Sequence, residues 1–160
     1  MTTHDIYVVE DEGITAKQIK GYLEKLGNRV PFVTDNSDEA IDEVKNSEPD
    51  LVLMDINLNG TVDGIEATER IVEQSDVPVV YLTAYGDEQT VSRARKSGAE
   101  GLILKPINRD DLERIITIVL DEETGGDLDI GGEMFTRWVQ DVFCDFLDGN
   151  HLSEKACQPA

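Results

Sequence analysis

The chain has 160 residues and a formal net charge of −20, from 14 Lys and Arg against 34 Asp and Glu. Such a surface repels the phosphates of nucleic acids and of anionic membranes, because binding to both depends on cationic contacts. Two cysteines are too few for a disulfide framework, the N-terminus lacks the basic start of a secretory leader, and no long apolar run could span a membrane. We therefore expect a soluble, cytoplasmic protein, whose acidity reflects either solubility or a salty cytosol.

Short apolar runs alternate with apolar residues at helical spacing over the first 120 residues. The runs predict β-strands at Ile6–Val9, Arg29–Val33, Leu51–Met54, Val77–Leu82 and Gly101–Leu104. The helical spacing predicts α-helices over residues 13–26, from Asn36 or Ser37 through Val44, and over 64–72, 87–96 and about 108–120.

Strands that are apolar throughout are typical of a parallel sheet covered by helices on both faces. The predicted fold class is therefore α/β. We expect a flavodoxin-like, doubly wound (βα)5 domain with a parallel five-stranded sheet of order 2-1-3-4-5. Pro31 places the second strand at an edge of this sheet, because proline cannot donate a ladder hydrogen bond.

The last 40 residues differ in character from the rest. Glycine pairs among acidic residues predict a flexible linker over residues 123–132, after a domain that spans residues 1–122. The C-terminal extension, residues 133–160, begins with a broad apolar stripe that holds three of the four Phe and the only Trp. This stripe predicts an amphipathic helix over about 133–148, which packs on its own domain, forms a homodimer or binds a distinct partner.

Polar residues follow four of the five predicted strands. Glu10 and Asp11 follow the first strand, Asp55 the third, Thr83 the fourth and Lys105 the fifth. In open parallel sheets, ligands bind beyond the carboxyl ends of the strands, where the strand order reverses. We expect the three acids to flank this point, with Thr83 and Lys105 on its far side.

Three carboxylates at one place favour a particular chemistry. They repel one another, and a hard divalent cation such as Mg²⁺ relieves the repulsion while also binding phosphate oxygens. With the metal bound, one carboxylate can attack a phosphoryl group and form an aspartyl phosphate. The Thr83 hydroxyl and the Lys105 ammonium would then each bind a phosphoryl oxygen.

Four runs of the sequence are similar to those of one known family. They are Val9-Glu10-Asp11-Glu12, Leu51-Val52-Leu53-Met54-Asp55, Tyr81-Leu82-Thr83-Ala84 and Ile103-Leu104-Lys105-Pro106-Ile107. These runs resemble the receiver domains of response regulators in two-component signalling, over about residues 5–120. The stretch from Asp55 to Gly64 resembles a variant that is one residue longer than the common form.

The resemblance implies roles for individual residues. Asp55 would be the phosphoacceptor, and Mg²⁺ would be held by Asp55, by Asp11 directly, by Glu10 through water and by the backbone carbonyl of Asn57. Thr83 and Lys105 would bind the phosphoryl oxygens.

The resemblance also implies a cis peptide before Pro106. Two positions depart from the common pattern. Leu102 stands where many receivers have a switching Tyr or Phe, so transmission to an output face is in question. The pair Glu10-Asp11 replaces two aspartates but keeps two carboxylates.

The predicted function is a stand-alone response regulator that takes a phosphoryl group from a sensor histidine kinase and acts on an unknown downstream protein. No DNA-binding output domain is expected, and no enzymatic turnover beyond self-phosphorylation and slow autodephosphorylation. Homodimerisation through the C-terminal helix, or through the face of the fourth helix, fifth strand and fifth helix, is one option.

Two other functions of this fold, flavin binding and phosphatase activity, are disfavoured. The run Glu10-Asp11-Glu12 would repel a flavin phosphate, and Asp55-Ile56-Asn57 lacks the second aspartate of a haloacid-dehalogenase-type phosphatase. The alternative is a non-phosphorylated, receiver-like module for interaction or dimerisation that acts through its aromatic C-terminal helix.

Overall fold

The structure is a computed structural model, and it describes residues 3–84 and 88–120. The predicted linker and C-terminal helix lie outside the described residues. Within them, strands and helices alternate along the chain: β1 Asp5–Val9, α1 Gly13–Lys25, β2 Arg29–Thr34, α2 Ser37–Ser47, β3 Leu51–Asp55, α3 Gly64–Gln74, β4 Val79–Thr83, α4 Glu88–Lys96, β5 Gly101–Leu104 and α5 Arg109–Leu120. None of the helices described is long and apolar enough to cross a membrane.

The strands form a single parallel sheet in the order β2-β1-β3-β4-β5. The predicted α/β fold and its strand order are therefore confirmed. Since the chain passes from β1 to β2 on one side and then to β3, β4 and β5 on the other, the strand order reverses between β1 and β3. Their carboxyl ends mark the place where such folds bind ligands.

The apolar strands fill two cores, one on each face of the sheet. In β1, Ile6 and Val8 face the core beneath α1 and α5, whereas Tyr7 and Val9 face the core beneath α2, α3 and α4. Both faces of a central strand are thus buried, which explains why the run is apolar without alternation. Burial of each large aliphatic side chain contributes about 1.5–3 kcal/mol, so the sheet is a rigid base for the loops at its ends.

The edge strand β2 behaves as Pro31 predicts. It pairs with β1 alone, and its register shifts between the pair Asp5–Arg29 and the pair Tyr7–Phe32. The shift accommodates the exposed Pro31, which has no N–H to donate. Its last residue, Thr34, accepts a hydrogen bond from the Glu10 N–H at 2.9 Å, so the edge strand supports the segment that follows β1.

Element boundaries differ from the sequence prediction by one to three residues, the largest difference being the end of α2 at Ser47 rather than at Val44. The strand β4 begins at Val79 rather than at residue 77, because Pro78 precedes its first ladder pair, and it continues through Thr83. The helix α2 is capped by Asn36, whose side-chain oxygen accepts from the N–H groups of Asp38 and Glu39. This cap decides between the two candidates that the sequence offered.

A close approach fixes the start of α3 behind the end of β3. Its N-cap Asp63 accepts a hydrogen bond from the N–H of Glu66. Gly64 donates its N–H to the carbonyl of Ile56 at 2.8 Å, and a Cβ at Gly64 would overlap the carbonyl oxygen of Asp55. Only glycine fits here, so the helix presses directly on the backbone that carries the Asp55 side chain.

Candidate functional site

Parallel pairing brings the predicted polar residues to one edge of the sheet. Val9 pairs with Met54, so the residues that follow β1 lie beside Asp55 at the end of β3. Asp55 pairs with Leu82, and Thr83 pairs with Leu104, so the ends of β4 and β5 continue the same edge. The side chains that the sequence places after four strands therefore converge.

The acidic cluster consists of Glu10, Asp11 and Asp55. One carboxylate oxygen from each lies within 4.8 Å of the others. Glu10 and Asp55 are buried, at 2% and 3% exposure, whereas Asp11 is exposed. Two acids thus form the floor of the cluster, and the third lies at its opening to solvent.

One ammonium group, that of Lys105, comes within ion-pair distance of these acids among the described residues. Its Nζ lies 2.9 Å from Glu10 Oε1 and 3.3 Å from Asp55 Oδ2. The backbone N–H of Asn57 donates to Asp55 Oδ1 at 3.1 Å, and that of Glu12 donates to Glu10 Oε1 at 3.2 Å. Three carboxyl groups face one ammonium group, so the site can take up further positive charge, as a proton or as a bound cation.

The residues present fit a divalent cation. Glu10 Oε2 is buried and has no hydrogen-bond partner within the part of the chain that the structure describes. A buried carboxylate oxygen without a partner is costly, and a bound ion would satisfy it. The donors are hard oxygens, and Mg²⁺ prefers one or two carboxylates together with other oxygen ligands. Glu10, Asp11, Asp55 and the Asn57 backbone carbonyl supply that chemistry.

Two groups of the site have shifted pKa values, the buried Asp55 and the partly buried Lys105. Burial, then hydrogen bonding to Asp11 and Glu10, raises the pKa of Asp55 to about 8, against the opposing effect of the Lys105 ammonium. Burial alone would lower the pKa of Lys105, but its bonds to Glu10 and Asp55 outweigh that effect and raise it. Without a metal, Asp55 therefore holds a proton at neutral pH.

The far side of the site is formed by the ends of β4 and β5. Thr83 is buried at 3% exposure, and its carbonyl accepts the N–H of Lys105 at 2.8 Å. The peptide between Lys105 and Pro106 is cis, as the resemblance implies. These contacts keep the lysine backbone beside the end of β4 while the side chain extends across to the acids.

Leu102 stands where many receivers have an aromatic residue, but an aromatic side chain, Tyr81, lies next to it on the neighbouring strand β4. Leu102 is buried and pairs with Tyr81 of β4. The Tyr81 hydroxyl is 2.6 Å from Ser97 Oγ, just beyond the end of α4, and burial raises the pKa of Tyr81 to about 12. Tyr81 thus links β4, two residues before Thr83, to the C-terminal end of α4.

Sequence reasoning missed one group of contacts around the loop after β3. Asp38 of α2 binds Thr61 of that loop through two hydrogen bonds. The two residues are 23 positions apart in elements of different type, so no spacing or motif connects them. The sequence near Asp38 indicates only that Asn36 can cap the helix, which places Asp38 in the first turn of α2.

Comparisons with known proteins agree with this geometry. Residues 6–117 match the family described as response regulator receiver domain. The transcriptional regulatory protein PdtaR of Mycobacterium tuberculosis is 31% identical over 107 residues, which make up 67% of this chain and 52% of that protein. The chain therefore spans about half the length of that relative.

Solved structures show the same fold. The signal receiver domain of a modulated diguanylate cyclase from Desulfovibrio desulfuricans G20 superposes with a TM-score of 0.72 at 30% identity, covering 78% of this chain and 99% of that one. The receiver domain of the sensor histidine kinase PA1611 from Pseudomonas aeruginosa PAO1 has a TM-score of 0.67 at 29% identity, covering 74% and 98%. That structure is described with a magnesium ion coordinated in its active site cleft.

Proposed function

The chain belongs to the response regulator receiver domain family, and we propose that it accepts a phosphoryl group on Asp55 from a sensor histidine kinase. The observation that carries the proposal is the buried Asp55 carboxyl group, with Glu10 and Asp11 within 4.8 Å and the Lys105 ammonium at 3.3 Å. A carboxylate nucleophile, an acid pair suited to a metal and a cation for phosphoryl oxygens are thus side by side.

Mg²⁺ would be held by Glu10, Asp11, Asp55 and the backbone carbonyl of Asn57. When bound, the ion would neutralise the excess negative charge of the site and of the incoming phosphoryl group. The buried Glu10 Oε2, which has no hydrogen-bond partner among the residues described, supports this assignment. The magnesium-bound receiver domain of PA1611, at 29% identity, supports it from a similar fold.

Transfer requires the Asp55 carboxylate to be ionised and aligned. One carboxylate oxygen attacks phosphorus, a P–O bond forms, and the P–N bond to the kinase histidine breaks as the imidazole leaves with its electron pair. The Asn57 N–H fixes Asp55 Oδ1 at 3.1 Å, which limits rotation of the carboxylate. Because the carboxylate is already held in place, the reaction has a lower entropy cost for orienting it.

Lys105 and Thr83 are the proposed ligands of the phosphoryl oxygens. The Lys105 ammonium bridges Glu10 and Asp55, so it can exchange a carboxylate contact for a phosphoryl contact. Thr83 ends β4, the strand next to Asp55, and offers a hydroxyl donor. Charge-assisted hydrogen bonds of this kind are about twice as strong as neutral ones.

The output is proposed to be a change in contacts with another protein. The reactions proposed for this domain are self-phosphorylation and slow autodephosphorylation. The downstream partner is unidentified, and we also propose homodimerisation, through the C-terminal helix predicted from the sequence or through the α4–β5–α5 face. None of these features alters the chemistry at Asp55, which can be tested on its own.

The test is phosphorylation of the full chain by acetyl phosphate, with and without Mg²⁺. We expect one phosphoryl group per chain by intact-mass spectrometry, dependent on Mg²⁺ and absent from Asp55→Asn. Asp76→Asn makes the same substitution at an exposed position of the α3–β4 connection and serves as the matched control. A phosphorylated species that persists in Asp55→Asn, or that forms fully in EDTA, would refute the assignment.

A further inference from the structure

A pair of hydrogen bonds fastens the β3–α3 loop, residues 56–63, to the first turn of α2. The N–H of Thr61 donates to Asp38 Oδ2 at 3.1 Å, and the Thr61 hydroxyl donates to Asp38 Oδ1 at 2.7 Å. A third bond runs from the N–H of Ser37 to the carbonyl of Asn59 at 3.0 Å. We call the Asp38–Thr61 pair the clasp.

The loop and the helix meet with no spare room at the clasp. Ser37 is fully buried, and a Cβ at Gly60 would overlap its Oγ and approach its backbone nitrogen to 3.1 Å. Gly60 has a φ of +115°, which a residue with a side chain rarely adopts. The close approach lets the short Asp38 side chain reach both donors of Thr61.

The same loop carries Asn57, whose backbone carbonyl is a proposed ligand of the metal. Ile56 is held on both sides, by its N–H to the Leu82 carbonyl at 3.3 Å and by its carbonyl to the Gly64 N–H at 2.8 Å. Asn57 is exposed, and its N–H bond to Asp55 Oδ1 leaves its carbonyl to be oriented by the residues that follow. Those residues lead to the clasp.

We infer that Asp38 is a positioning residue for the metal site, acting through Thr61 on the conformation of the β3–α3 loop. The inference rests on the proposed function, since it concerns the Asn57 carbonyl as a ligand of Mg²⁺. A loop that samples other conformations binds more weakly, because the apparent dissociation constant rises as the competent fraction falls. The clasp raises that fraction before the ion arrives.

Two properties suit Asp38 to this role. Both of its oxygens are used, and bonds to an ionised acceptor are stronger than neutral ones. The Thr61 hydroxyl and then the Thr61 N–H lower the pKa of Asp38, so the carboxylate form persists at neutral pH. Because Thr61 is exposed and Asp38 is only half-buried, solvent competes for these bonds, and the effect should be moderate.

The test compares four variants of the full chain by calorimetric titration with Mg²⁺. Thr61→Val removes the hydroxyl without changing charge, Thr61→Ser keeps it, and Asp38→Asn removes the charged acceptor. Asp42→Asn removes the same charge one turn further along α2, from an exposed residue to which the described contacts assign no bond with the loop. Circular dichroism establishes that each variant is folded at the titration temperature.

We expect Thr61→Val and Asp38→Asn to weaken Mg²⁺ binding by about three- to tenfold, with Thr61→Ser and Asp42→Asn within about twofold of the wild type. Phosphorylation by acetyl phosphate should need more Mg²⁺ in the first two variants, yet reach the wild-type rate at saturation. A merely structural role would instead lower the rate at saturation and leave the Mg²⁺ dissociation constant unchanged.

The inference is overturned if Thr61→Val binds Mg²⁺ as tightly as the wild type, or if Asp42→Asn weakens binding as much as Asp38→Asn does. A wild-type chain that binds no Mg²⁺ and accepts no phosphoryl group overturns the proposed function and the inference together. If the wild type is phosphorylated normally and the Thr61→Val and Asp38→Asn variants bind Mg²⁺ as tightly as the wild type, the inference alone is overturned.

Discussion

Replacement of Asp55 by Asn should stabilise the metal-free protein. In the wild type, the buried Asp55 carboxyl group shares its surroundings with the Glu10 and Asp11 carboxylates, and one ammonium, that of Lys105, offsets them among the described residues. Asn has nearly the same shape but carries no charge and no titrating proton. The substitution therefore removes the cost of burying an ionisable group beside these two acids, while leaving the packing against Gly64 and the sheet intact.

The magnitude follows from the pKa of Asp55, which the folded protein raises to about 8. The unfolded chain titrates near 3.9, and each unit of difference corresponds to about 1.4 kcal/mol, so the upper bound is about 5–6 kcal/mol. Asn forms only a neutral hydrogen bond with Lys105, which offsets part of this gain. We expect a net stabilisation of about 2–4 kcal/mol at pH 8, or a rise in Tm of roughly 6–16 °C.

The dependence on pH has a definite sign. Below about pH 4, Asp55 is protonated in both states and costs nothing. Between about pH 4 and 8, the unfolded chain loses the proton while the folded protein keeps it, so wild-type stability falls as pH rises. The side-chain amide of the Asp55→Asn variant does not titrate, so the difference between the two proteins should widen over this window and level off above it.

The assay is urea unfolding of both proteins in EDTA, from pH 4.5 to pH 8.5, with Asp76→Asn as the control for an exposed aspartate. Mg²⁺ should then stabilise the wild type by mass action and stabilise Asp55→Asn far less. A variant less stable than the wild type at pH 8, or a stability difference that stays constant with pH, would show that the raised pKa of Asp55 does not lower the stability of the wild type.

Three further outcomes are expected. Mg²⁺ affinity of the wild type should rise with pH by up to about tenfold per unit towards pH 8, because binding displaces the Asp55 proton, and titration in buffers of different ionisation enthalpy should detect its release. Lys105→Ala should slow phosphorylation by acetyl phosphate while leaving Mg²⁺ affinity unchanged or tighter, since the ammonium repels the ion; a loss of Mg²⁺ affinity would contradict its assigned role. Tyr81→Phe removes the bond to Ser97 and should cost about 1–2 kcal/mol in urea unfolding with Asp55 phosphorylation unaffected, and an unchanged midpoint would contradict the importance of that bond.

The fold could be predicted from the sequence because its signal is physical and local. A run such as Ile6–Val9 is apolar at every position because alternate side chains enter the two cores of the sheet. Once parallel strands are inferred, the residues that follow them must meet at one edge. The positions of Glu10, Asp55, Thr83 and Lys105 at that edge follow without knowledge of any individual contact.

The contacts within the site could not be predicted in the same way. The sequence placed Lys105 on the far side of the acids, whereas the structure pairs it most closely with Glu10, at 2.9 Å. A lysine side chain is long enough to reach several partners, so its target depends on which carboxylate is buried. The clasp between Asp38 and Thr61 has no periodic signal at all, because both are ordinary polar residues of a helix start and a loop.

The net charge of −20 describes the surface, but the chemistry depends on very few of the acids. Among the acidic residues that the structure describes, the buried ones are Glu10 and Asp55, at 2% and 3% exposure. Exposed carboxylates interact through water and are screened beyond about 8–10 Å by salt, whereas a buried pair is screened much less. High or low salt would therefore change how the surface repels other proteins, while leaving the interaction of the buried Glu10 and Asp55 side chains with a proton or a cation almost unaltered.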